Sequence, residues 1–269
     1  MNVDHFSHFL DDPKLHHYLL IFLLIFTRWL SLSLITPIFG AALLPAIVRI
    51  GLAFSMSTLS FLTIYNENLV FEKNIIFISA LFIKEGLIGF ILGFFISLIF
   101  FAYEMAGQFI DNARAASMAK MLVPELRVHS SPMGTMFFQL SLALFVVLGL
   151  HRSIILTAYK SFEEFQVTSL NINVSYEYIL ALSLKLLSSL FVFATKLALP
   201  VIIICFLIDC AFGLMNRVAP QINAYFLSLP AKIVSGLIML FLCLTFLLDD
   251  FLQHYQLFKI FSEGLFSFP

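Results

Sequence analysis

Apolar residues fall into six long runs, Tyr18–Phe39, Ile47–Tyr65, Ile75–Tyr103, Met133–Leu156, Tyr178–Met215 and Leu229–Leu248, separated by short polar stretches. Phe, Leu and Ile dominate every run without period-two alternation, which predicts helices and excludes a β-barrel. A spanning helix takes about 20 residues, so the third and fifth runs are too long for one simple span. The fifth carries Lys185, Lys196, Pro200 and Asp209. Proline has no amide proton and clashes with the preceding turn, so a division into two helices is expected at Leu199-Pro200. Pro37 and Pro45 flank Gly40-Ala-Ala42 and mark another break. Asn216-Arg-Val-Ala-Pro-Gln221 reads as a sharp turn between two helices. The expected fold is all-α, a polytopic hydrophobic protein of long kinked helices and helical hairpins. It is read as one domain over 1–269, with a polar tail at 1–17 and a C-terminal tail at 249–269.

Composition sharpens this picture. The chain is 61% hydrophobic with 33 Phe and only 12% charged residues, about half the charge of a soluble domain. A net charge of −1 supplies no field that would recruit nucleic acid. The N-terminus is acidic (Asp4, Asp11, Asp12), unlike a secretory signal, and the first run is long enough to span and is expected to be retained. Cys205, Cys210 and Cys243 lie inside apolar runs and read as small hydrophobes.

One polar strip breaks the apolar pattern. From Glu104 to Pro132 the chain places Glu104, Asp111, Arg114, Lys120, Glu125 and Arg127, six of its 15 basic and 16 acidic residues, among small residues and Met118 and Met121. Such a segment cannot face lipid, where polar groups lack partners, so it lines something wet or meets another protein. A solvated loop is the plain alternative. Asp111 and Arg114 stand three apart and can pair if the segment is helical.

Charges also lie inside the apolar runs: Arg28, Lys84, Glu85, Lys185, Lys196 and Asp209. Each costs about 2.5–3.5 kcal/mol at bilayer depth even on a lenient scale. They are either paired within the fold or set against other protein chains. Between the runs, Arg49, Arg114, Lys120, Arg127, Arg217 and Lys232 fall on one side and most acids on the other. By the positive-inside rule this predicts an external N-terminus.

Catalytic chemistry is missing. None of the eleven glycines is followed two places on by Ser, so no nucleophile elbow exists, and neither H-E-x-x-H nor a Walker loop occurs. The adjacent His16 and His17 point apart on a helix and make a poor metal pair. His151, at the polar end of a run, is either a catalytic candidate or, as favoured, a helix-end histidine. No metal and no cofactor is expected.

Landmarks recur in order: Arg28, Pro37-Ile-Phe39, Pro45, Lys84-Glu-Gly-Leu-Ile-Gly-Phe-Ile-Leu-Gly93, Gly107-Gln-Phe-Ile-Asp-Asn-Ala-Arg114, Leu199-Pro-Val201 and Phe212-Gly-Leu-Met-Asn-Arg-Val-Ala-Pro-Gln221, then Pro230, Lys232 and Gly236. From about Arg28 to Gly236 the chain resembles the export-gate family of type III secretion (FliR/SctT). Ile110-Asp-Asn-x-Arg114 and Ser131-Pro-Met-Gly134 lean to the injectisome branch, and Ala115 stands where many members have glycine. The resemblance implies a non-enzymatic subunit of a helical export-gate ring in the bacterial inner membrane, partly raised above the bilayer plane. Its implied partners are two smaller hydrophobic gate subunits, the substrate-specificity switch protein and unfolded export substrates.

By the same resemblance the segment Gln108–Val123 plugs the closed pore, with Gln108, Phe109, Asp111, Asn112, Arg114, Ser117, Met118, Lys120 and Met121 as plug residues. Subunit packing falls to Glu85, Gly86, Gly89, Gly93, Pro200, Asn216, Arg217, Pro220 and Gln221. Gly89 and Gly93 make a G-x-x-x-G contact face. The competing functional reading is a small-solute transporter or ion channel that uses the charges within the runs.

Overall fold

The computed structural model describes residues 13–40, 44–64, 74–115, 131–170, 176–221 and 223–242. Among the described residues every regular element is helical: α1 (Pro13–Ile35), a 3-10 turn (Pro37–Phe39), α2 (Ala46–Ile64), α3 (Ile75–Ala113), α4 (Pro132–Val147), α5 (His151–Glu164), α6 (Tyr176–Val218) and α7 (Ala224–Leu242). Five of these, α1, α2, α3, α6 and α7, are long and apolar enough to cross a membrane, or six spans if α4 and α5 count as one interrupted span.

Three expectations are corrected. Pro200 does not divide the fifth run, because α6 continues through it for 43 residues. The proline deletes one amide donor toward the Lys196 carbonyl, while the remaining backbone bonds have no substitute in apolar surroundings. The fourth run is not one helix. It stops at Val147 and restarts at His151, with Gly149 in the left-handed region at φ +70°, a conformation glycine adopts without steric cost. Finally, α3 runs beyond Tyr103 through the first part of the polar strip to Ala113, so that part is helix and not loop. The Pro37–Pro45 break is present, with α1 ending at Ile35 and α2 beginning at Ala46.

The described residues gather into two compact units. The first comprises the residues up to Ser97 together with Leu150–Tyr176, hence α1, α2, the first part of α3 and α5. Helix α1 buries Ile21, Leu24, Ile25, Trp29 and Leu32. The Trp29 indole donates to Ser60 Oγ of α2 at 2.8 Å and meets the Tyr159 ring of α5 edge-on at 5.9 Å. Helix α3 lies close against α1 at the two glycines of its G-x-x-x-G face. A Cβ on Gly89 would overlap Ser31 Oγ and the Arg28 carbonyl oxygen, and one on Gly93 would come within 3.0 Å of Ile35 Cβ and the Leu32 carbonyl. Gly86 looks toward Thr27 with room to spare, at 3.9 Å.

The second unit takes Leu98–Gly149 and the described residues from Glu177 onward: the end of α3, α4, α6 and α7. Phe100 packs on Phe145 at 5.2 Å and Tyr103 on Phe193 at 4.7 Å. Helix α7 shows the four-residue spacing of a one-sided helix, burying Ala224, Ser228, Lys232, Gly236 and Leu240.

Candidate functional site

Two polar centres stand inside these apolar units. In the first, Glu85 of α3 is fully buried and carries Arg28 on one oxygen and Lys84 on the other. Arg28 Nε donates to Oε2 at 2.5 Å, and Lys84 Nζ lies 2.8 Å from Oε1 as an ion pair outside hydrogen-bond geometry. The remaining Arg28 donors reach the end of α5. Nη1 donates to the Ser161 carbonyl at 2.8 Å and its hydroxyl at 3.1 Å, and Nη2 to the Phe165 carbonyl at 2.9 Å. The guanidinium also lies 4.1 Å over the Phe162 ring, a cation–π contact. Lys84 Nζ donates to the carbonyls of Gln166 at 2.6 Å and Ser169 at 2.8 Å. The two cations thus anchor the end of α5 and the irregular stretch after it by carbonyl oxygens, with Glu85 as their shared counter-charge, and this answers the sequence's open choice for these three charges in favour of pairing within the fold. A buried charge persists only when so partnered.

The second centre is the base of the polar strip. Asp111 Oδ2 accepts from Ser131 Oγ at 2.5 Å and from the Met133 amide at 2.9 Å, while Oδ1 lies 3.8 Å from Arg114 Nη1. Ser131 Oγ in turn accepts from the Gly134 amide and caps α4, satisfying donors that a helix start leaves open. Below this clasp the backbones touch, since a Cβ on Gly107 would come within 2.5 Å of Gly134 N and the Met133 carbonyl. Arg114 is buried, and its Nε and Nη1 find no hydrogen bond among the described residues. Its side chain lies against Gly236 of α7, where a Cβ would meet Cδ at 2.7 Å. One turn earlier on α7, Lys232 pairs with Asp209 of α6.

Of the strip residues singled out from the sequence, Asp111 and Arg114 are brought together and buried. Gln108 is exposed and donates to Glu104 at 3.2 Å, Phe109 meets Phe191 edge-on, and Asn112 is exposed. Ser117, Met118, Lys120 and Met121 lie outside the described residues. Asn216 and Arg217 are exposed on the last turn of α6, and Pro220 and Gln221 are exposed in the turn that follows. Pro200 is half-buried within α6. His151 is exposed at the first position of α5. No cluster of three or more His, Cys, Asp or Glu that could hold a metal occurs among the described residues.

The sequence reading named Ser131-Pro-Met-Gly134, Asp209 and Lys232 but not the clasp of Ser131 on Asp111, the close approach at Gly134 or the Asp209–Lys232 pair. A signal was present. Asp209 lies eleven residues before Pro220 and Lys232 eleven after Gln221, so an antiparallel hairpin about that turn sets the two charges side by side.

Comparison with known proteins is consistent along the chain. The profile of the family "Bacterial export proteins, family 1" matches residues 19–258. The flagellar biosynthetic protein FliR of Bacillus subtilis (strain 168) is 29% identical over 225 residues, 83% of this chain and 86% of that protein. The Yop proteins translocation protein T of Yersinia pestis is 28% identical over 228 residues, covering 84% and 87%. The secretion system apparatus protein SsaT of Salmonella typhimurium is 27% identical over 256 residues, covering 94% and 98%.

Proposed function

Because the chain belongs to the bacterial export proteins, family 1, we propose that it is a structural and gating subunit of a flagellar or type III secretion export apparatus, as the names of its relatives suggest. It sits in the bacterial inner membrane, to which its long apolar helices are suited. There it forms, with two smaller hydrophobic subunits, the pore through which unfolded substrates leave the cytoplasm, and it meets the switch protein that selects them. The strip that begins at Gln108 serves as the pore plug.

The observation that carries this reading is the clasp at Asp111. A strip rich in charge and small residues leaves α3 and returns to α4 at one point, where Ser131 and Met133 are bound to the same carboxylate. The clasp thereby ties the two ends of the strip, at Asp111 and Ser131, to one another, which is what the stem of a plug requires. No step in this role calls for a catalytic group. The exposed Lys185 and Lys196 within the long apolar helix α6 support a chain enclosed by other subunits.

The reading is tested by extracting the tagged chain from its own cells in mild detergent and determining native mass and partner content. A large complex holding two smaller hydrophobic proteins is expected. A lone chain or a homodimer would overturn the proposal and turn attention to solute transport along the in-helix charges.

A further inference from the structure

Helix α6 has one buried stripe, formed by Leu186, Leu190, Phe193, Leu197, Val201 and Cys205. Beside it, on the exposed surface, stand Lys185 and Lys196. Eleven residues at 100° each bring them within about 20° of one face and about 16 Å apart along the axis. Neither has an ion pair among the described residues, whereas Asp209, further along the same helix, is paired with Lys232.

Lipid alone does not suit this face. Between Lys185, Lys196, Asp209 and Arg217 the longest uncharged stretch of α6 is 197–208, twelve residues where a spanning segment takes about 20. If the bilayer takes the residues before Asp209, Lys196 lies in hydrocarbon. If it takes those after Lys196, the half-exposed Asp209 lies in hydrocarbon with only Lys232 as partner, and the exposed Leu184, Leu187, Phe191 and Val192 stand in water. Either register leaves charge in oil or a large apolar surface wet. A protein helix that covers the apolar residues and brings carboxylates to the lysines removes both costs.

We propose that the Lys185–Lys196 face of α6 is a docking surface for an apolar helix of another subunit, one that carries two carboxylates about 16 Å apart on a single face. This rests on the export-apparatus reading and adds which face meets a partner and what chemistry that partner presents. Between two such ammonium groups, buried on assembly, like-charged or neutral helices are rejected, so the pair sets the register of the partner as well as its identity.

The test places the photo-crosslinker benzoylphenylalanine at Val192, which lies between the lysines, in the apparatus assembled in its own cells. In parallel, the double variant K185E/K196E and the single variant K196R are purified with the chain's membrane level measured alongside. The expected cross-link is to an apolar helix of another subunit with an Asp or Glu close by. K185E/K196E should lose that subunit at least ten-fold at an unchanged membrane level, K196R should retain it, and lysine in place of the partner's carboxylate should restore it. Cross-linking to lipid alone, full retention of the subunit by K185E/K196E, or no restoration by the exchange would each overturn the proposal. Absence of any large complex from the wild-type chain would instead sink the export-apparatus reading itself.

Discussion

Asp111 and Ser131 are joined by a 2.5 Å hydrogen bond that ties the last turn of α3 to the first turn of α4, twenty residues on. The same oxygen accepts from the Met133 amide, so one carboxylate does the work of a cross-link and of a helix cap together. Replacing it with alanine removes both, leaving Ser131 and the Met133 amide without their acceptor and Arg114 without its counter-charge. Asp111→Ala is expected to cost about 1–3 kcal/mol. The midpoint of thermal unfolding of the purified protein would check this, and a midpoint equal to wild type would show that the clasp carries no stability.

Deleting Met118–Leu122 shortens the strip between Asp111 and Ser131 without touching either. The variant is expected to assemble normally but to make the bacterial inner membrane leaky to small solutes, which dye uptake or ion leakage would report. Unchanged permeability would remove the plug assignment.

Among the described residues Glu85 is the one anion paired with two buried cations, Arg28 and Lys84. Removing one partner of a buried ionic group costs about 3–5 kcal/mol, because the other charge is left uncompensated. Glu85→Ala should therefore abolish accumulation of the chain in the membrane. Arg28→Lys should also fail, since a single ammonium cannot reach Glu85, Ser161 and Phe165 as the guanidinium fork does. Immunoblot levels of the membrane fraction decide both, and wild-type levels of Arg28→Lys would argue against the fork geometry.

Glycines of one helix class should differ sharply. Gly107→Ala forces a methyl into the Gly134 backbone, whereas Gly51 and Gly213 have nothing within 4 Å of an added Cβ. Gly107→Ala should be strongly destabilising. Gly51→Ala and Gly213→Ala should be neutral or stabilising by up to about 1 kcal/mol from helix propensity. Gly93→Leu should block complex formation by disturbing α1 packing within the chain, visible as loss of the chain itself. Full complex yield from it would show that α1 and α3 tolerate separation.

Ala115 lies in the left-handed region at φ +55°, where a Cβ crowds the following carbonyl at about 1–2 kcal/mol. Ala115→Gly should relieve this, raising the unfolding midpoint by a few degrees. A lowered midpoint would mean that the alanine methyl contributes packing larger than the strain.

Most of the helical frame was legible because apolar run length is a strong signal, and the break between Pro37 and Pro45 was legible from proline chemistry. Pro200 misled for the same reason: its local cost is real, yet the long helix on both sides outweighs it. The break at Gly149 was marked in the sequence only by the glycine itself and by His151-Arg152 just after it, within an otherwise apolar run. At the strip, Asp111 with Arg114 could be paired from spacing alone. Ser131 could not, since it meets Asp111 only after the chain has gone out and come back.

The order in which Arg28 meets its partners sets a schedule for biogenesis. Glu85 follows it by 57 residues and the Ser161 carbonyl by 133. At about 5–20 residues per second of synthesis, the guanidinium of α1 spends several seconds before its counter-ion is made. Roughly 7–27 s pass before its carbonyl acceptors exist. Arg28 of α1 thus gains its full set of partners only once α5 and the residues just after it have been synthesised.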